Sequence, residues 1–164
     1  MLTDYTSPDT IRTLLGVHEL EIEDAELMQP IHAFAITEGL LDIGAAVQTQ
    51  YAAIAATPAA TRTSTQTRYY ETVRFYSAAL VAKAVLPALP MFAPQSLEDE
   101  KDKMKRFDGA LDALQASLDA TLTNLKAKIV ALIAVLVPGT STAAAVTRSF
   151  VSATGIAADP VTGA

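Results

Sequence analysis

Residues 110–138 read ALDALQASLDATLTNLKAKIVALIAVLVP. Leu111, Leu114, Leu118, Leu122, Leu125, Ile129, Leu132 and Leu136 follow one another in three- and four-residue steps. That spacing puts side chains on one face of an α-helix, and its persistence over nearly four heptads gives a seam of the coiled-coil kind. Asp112 and Asp119 lie off the seam early, and Lys126 and Lys128 later. Acids before lysines complement the helix dipole. Pro138-Gly139 ends the pattern.

Working back along the chain, Tyr69, Val73, Tyr76 and Leu80 step by four, three and four residues. They predict a helix over about 65–86, ended by Pro87 and Pro90 around a short ALP element. The Ser- and Thr-rich stretch from Thr57 to Thr67, with Pro58, reads as a break before it. Upstream, a second long helix is expected from near Asp24 to about Ala56. Leu27, Ile31 and Phe34 form one face, continued by Leu40, Ile43, Val47 and Ile54. Pro30 falls in its first turns and either kinks it or moves its start. Gly39 and Gly44 permit close helix contact. Ser7-Pro8-Asp9 is a helix start: a capping hydroxyl, a proline suited to the first turn, and an acid at the positive end. Ile11, Leu14 and Leu15 give the helix an apolar face and Gly16 a stop, so it spans about 8–15.

Two segments fall outside this periodicity. LEDEKDKMKRFD, residues 97–108, mixes charges of both signs. It reads as a solvated loop or helix face, with a mixed-charge subunit contact as the sharper alternative. From Thr140 the chain is small, nearly uncharged and rich in Thr, Ser, Ala and Gly, with isolated apolar residues at Val146, Phe150, Val151 and Ile156. These are too few for a core, yet the segment is too apolar for a charged disordered tail.

The pieces sum to an all-α chain. The expectation is an antiparallel helix bundle of three long helices plus a short N-terminal helix over residues 1–137, with an extended C-terminal arm over 138–164. A chain of 164 residues suits one domain with a genuine core. Cysteine is absent, which removes disulfides, thiolate metal sites and Cys nucleophiles. The opening MLTDYTSPDT lacks the basic-then-apolar pattern of a signal peptide. The longest apolar run, residues 129–137, is far short of the roughly 20 residues that span a bilayer, so no membrane role is expected. The net charge of −6 comes with no basic patch for gripping nucleic acid. An acidic wall beside DNA would instead resist adhesion.

Catalytic chemistry finds few residues to carry it. His18 sits among the acids of HELEIED, but no HExxH is present and no second histidine lies at ligand spacing. His32 lies among apolar residues. Glu38 interrupts an apolar face, either as a buried acid paired with Arg68 or Arg74 or just off the core edge. Tyr69, Tyr70 and Tyr76 read as core and rim more readily than as a ligand pocket. No GxSxG elbow, P-loop or GxGxxG occurs, and EDEKDK lacks the glycine and terminal acid of a calcium loop. Neither enzymatic activity nor a cofactor or metal is expected.

Three stretches carry a likeness. YTSPDTIRTLLGV near the start, TRYYETVRFYSAALVAKAVLPALPMFAP in the middle, and KMKRF before the last long helix together resemble the small head-to-tail adaptor (connector) proteins of tailed bacteriophages. The likeness is one of pattern and covers about residues 5–137. It implies a helical bundle that forms a ring with copies of itself, commonly twelvefold, beneath the portal protein. A tail or nozzle protein would lie below, with DNA at most passing through the channel. It places the chain in the virion at the head–tail junction, and in the host cytoplasm during assembly. It also implies that residues 138–164 are the arm that docks on the portal. Val146, Phe150, Val151 and Ile156 would be its apolar contacts, with Arg148 adding a charge at the edge. A free-standing helical protein–protein interaction module is the alternative reading, and a small enzyme with a site scattered over its helices is a third.

With no cysteine and no histidine pair, folding is expected to need no metal. Chelator treatment followed by thermal melting should leave the melting temperature unchanged, and a large drop would overturn that expectation.

Overall fold

The structure, a computed structural model, describes residues 4–17, 22–92 and 110–138. These residues are predominantly helical, with no strand among them. The chain is all-α.

The first helix, α1 (Pro8–Leu15), starts and stops where the sequence indicates. Ser7 has extended backbone and its Oγ accepts from the Thr10 N–H; Gly16 closes the helix in the left-handed region at φ 67°. Ile11 and Leu15 are buried, and so is Arg12. The Arg12 guanidinium donates from Nε and one terminal nitrogen to the Ile22 carbonyl, at 3.0 and 2.9 Å, and pairs with Asp9 and Asp24. A buried charge satisfied on several sides tethers α1 to the chain entering the next helix.

The long helix expected over 24–56 is instead three helices: α2 (Asp24–Leu27), α3 (Pro30–Leu41) and α4 (Ala45–Ala55). The first break follows from Pro30, which pushes Gln29 into extended backbone (φ −61°, ψ 145°) and begins α3 at its own first position. The second sits at Gly44, with φ 154° and ψ 142°, a conformation open essentially to glycine alone. Across it the chain turns by 114°. Restarting the helix at Pro30 also rotates its inward face. His32, Ile36 and Leu40 are buried, while Ile31 and Phe34, expected inside, are 67% and 65% exposed. Leu27, Ile43, Val47 and Ile54 are in the core as expected.

A 3-10 turn (Ala59–Thr61) leads to α5 (Ser64–Val85), which opens on a capping box. The Thr63 hydroxyl accepts from the Gln66 N–H at 3.2 Å, and the Gln66 side chain accepts from the Thr63 N–H at 2.8 Å. Tyr69, Val73 and Tyr76 face inward as their spacing predicts, and beyond them burial spreads round the helix to Ser77, Ala78, Ala79, Val81 and Ala82. Pro87 turns the chain through a 3-10 segment (Leu86–Ala88) into the short α6 (Leu89–Phe92).

The last described helix, α7 (Ala110–Leu136), packs along α5 in the most extensive contact of the fold. Lys83 near the end of α5 pairs with Asp119 in the first half of α7. At the other end, Val137 lies with Ala45 and Ala46 at the start of α4. The leucine seam faces inward only in part: Leu118, Leu125, Ile129 and Ile133 are buried, whereas Leu111, Leu114, Leu122, Leu132 and Leu136 are half-buried. Towards the end of the helix Ile133 is buried while its neighbours Leu132 and Leu136 are half-buried.

Ile129→Ala and Leu125→Ala should each cost roughly 2–5 kcal/mol of unfolding free energy by leaving a cavity. Gln115→Ala, on an exposed position of α7, should cost less than about 0.5 kcal/mol, as surface changes do. Urea unfolding of the three variants checks this, and equal losses would overturn the burial order.

Candidate interaction surface

The described helices bring together no acid–base or metal-ligating constellation. No group of three or more His, Asp or Glu side chains converges among the described residues. His32 is buried, with Nε2 at 3.2 Å from the Glu26 carbonyl oxygen. Glu38 is exposed on α3, off the core edge, rather than buried against Arg68 or Arg74. His18, the charged stretch 97–108 and the arm residues Val146, Arg148, Phe150, Val151 and Ile156 lie outside the described residues.

The tyrosines hold the fold together. Tyr51 of α4 is stacked between Tyr5 and Tyr70, with ring centroids 4.9 and 5.0 Å apart. Arg62 caps the stack 4.3 Å from the Tyr70 centroid, a cation–π contact. The Tyr51 hydroxyl donates to the Asp4 carbonyl, Tyr69 to Val47 at 2.8 Å, and Tyr76 to Gly39 at 3.3 Å. Burial raises all three phenols above the usual tyrosine range; the Tyr70 phenol adds to the rise at Tyr51, and the Asp42 carboxylate at Tyr76. Phenols held protonated in this way are structural donors, not bases at neutral pH.

Two shallow concavities flank this core. One, of about 300 Å³, is lined by Thr6, Ser7, Thr10, Glu71, Arg74 and Phe75; the other, of about 350 Å³, by Ala45, Ala46, Thr49, Gln50 and Val137. The first is lined mostly by polar side chains, and the buried Thr6 hydroxyl beside it has no hydrogen-bond partner among the described residues; the second is lined mainly by apolar and small side chains.

The unusual feature is an exposed apolar one. Ile31, Phe34 and Leu41 are 67%, 65% and 44% exposed, and with Glu38 they step by three, four and three residues along α3. They form one stripe on the side of the helix away from Ile36 and Leu40. On α7, Val135 is 68% exposed, and Ala131 and Lys128 lie on the same outward face. Isolated surface hydrophobes are ordinary, whereas several large ones aligned on one helix face, here interrupted only by Glu38, make a candidate contact surface. Sequence reading assigned Ile31 and Phe34 to the core. The available signal was that PIHAFAITEGLL is apolar on two faces, one more than a helix at the rim of a fold needs. No single described helix is long and apolar enough to cross a membrane. Comparison with protein-family models, curated proteins and solved structures finds no match to this chain.

The raised phenols set a sign for alkaline stability. Unfolded tyrosines lose their protons near pH 10, while Tyr51, Tyr69 and Tyr76 in the fold resist doing so. Their contribution is therefore fully present below about pH 10 and lost as pH rises through the folded values. Urea midpoints should be insensitive to these groups at lower pH and fall above about pH 10; a midpoint that rises there would contradict the assignment.

Proposed function

We propose that this chain is a structural subunit that forms a ring with copies of itself and joins the portal of a phage head to the tail. The observation that carries the reading is the exposed stripe of Ile31, Phe34 and Leu41 along one helix of an all-α fold. A chain that leaves large apolar side chains in a row on one helix is built to be covered by another surface. The likeness of residues 5–137 to adaptor proteins says which kind of assembly that is.

On this reading the described helices belong to an antiparallel bundle that forms the wall of the ring, and residues 138–164 form an arm that leaves it for the portal. Val146, Phe150, Val151 and Ile156 supply the arm's apolar contacts and Arg148 its charge. Ordering such a segment costs on the order of 1–2 kcal/mol per residue, which a groove on the partner offsets. The net charge of −6 suits a wall that DNA slides past rather than one it adheres to. The protein acts in the virion, next to a tail or nozzle protein, without catalysis and without a cofactor. The second reading, a free-standing helical interaction module, is favoured by the same stripe if one foreign partner covers it.

Negative-stain images of the assembled protein should show closed rings, whereas a stable monomer that binds one partner would support the module instead. Deleting residues 140–164 should leave the helical signal and melting temperature nearly unchanged while abolishing attachment to the portal. Unfolding of the truncated chain, or normal attachment by it, would overturn the arm.

A further inference from the structure

We infer that the α3 stripe of one copy packs antiparallel against the outward face of α7 of the next copy, with Ile31 opposite Val135 and Glu38 opposite Lys128. The inference rests on the ring reading above and names the contact that would build the ring. Ile31 and Val135 are about two-thirds exposed, so neither is covered within its own chain. Within one chain α3 meets α5 through Tyr76 and Leu80, while α7 meets α5 through Lys83.

The two faces match in spacing, size and charge. Ile31 and Glu38 are seven residues apart, and so are Val135 and Lys128. Each separation is about 10 Å along a helix axis. Laid antiparallel, the apolar ends meet while the carboxylate meets the ammonium. Phe34, the largest side chain of the stripe, then falls within about one residue's rise of Ala131, the small residue on the outward face of α7 between Lys128 and Val135. Glu38 and Lys128 are both exposed, and the ion pairs recorded among the described residues involve neither. The contact joins two different patches of one chain. It is therefore heterologous, the kind that propagates from copy to copy and closes into a ring when the rotation allows.

The cysteine-free sequence makes the test direct, because every crosslink must join introduced thiols. Full-length Ile31→Cys and Val135→Cys chains are mixed and mildly oxidised, and crosslinked dimers are read on a non-reducing gel. The contact predicts a dimer from the mixture and little from either variant alone. A dimer from Ile31→Cys alone means the stripe meets its own twin, which overturns the pairing. An intrachain link in a chain carrying both Ile31→Cys and Phe150→Cys means residues 139–164 cover the stripe, which also overturns it. As a second arm, Glu38→Lys and Lys128→Glu should each weaken self-association at least tenfold by light scattering, and the two together should restore it. Failure of the double variant to restore association overturns the register. Wild-type rings with no crosslink from the mixture would remove this contact and leave the ring reading standing; a wild-type monomer at every concentration would remove both.

Discussion

Everything in this fold is arranged around the crowding of α5. Its second half is enclosed on nearly every side, with α1, α3, α4 and α7 all packed on the helix. A helix enclosed in that way cannot carry large side chains all round, and it uses Ser77, Ala78, Ala79 and Ala82 where its neighbours press closest. The Ser77 hydroxyl satisfies itself on the Val73 carbonyl at 2.9 Å, so the enclosure strands no donor. The same crowding explains Gly39 on α3: a Cβ there would stand 2.5 Å from a Leu80 methyl. The large residues of α5, Tyr69 and Tyr76, use their hydroxyls to fix α4 and α3 through backbone carbonyls. α5 is thus both the packing centre and the hydrogen-bonding spine.

Helix ends were legible because they are local. Ser7-Pro8-Asp9 and Pro87 act within one turn, and the structure places boundaries at each; the Thr63–Gln66 capping box, equally local, lay inside the stretch read as a break. The kink at Pro30 was legible for the same reason. The turn at Gly44 was not, since a glycine inside a helical pattern costs only about 1 kcal/mol and is compatible with a continuous helix. Only tertiary packing decides whether its wider conformational range is used. That one choice turned the expected long helix into an angled pair.

The apolar faces show the same limit. Periodicity finds a stripe but not which of two stripes is buried, and α3 carries two. Ile36 and Leu40 won the core because α5 lies on their side, which leaves Ile31 and Phe34 exposed on the other. On α7 the seam lies on the inward side but is unevenly buried: Leu118, Leu125 and Ile129 are buried, the other leucines half-buried, and Ile133 joins the core from beside the seam. The buried Arg12 was invisible to pattern reading altogether. Its partners are a carbonyl ten residues away and two acids that look like ordinary surface charges.

The elbow at Gly44 fixes more than the path of one chain. It sets the direction of α3 relative to α4, and on the proposed contact the direction of α3 enters the angle through which each copy hands on to the next. Such an angle is magnified by repetition: a tilt too small to disturb the core would add or remove a member of a closed ring, or leave it open as a spiral. Copy number would then be inherited from a single backbone torsion. A side chain at Gly44 would meet no steric obstacle, with nothing within 4 Å of a Cβ there, yet it would force a φ of 154° back toward ordinary values. The damage from such a change would surface not in the folding of one subunit but in the circumference of the assembly.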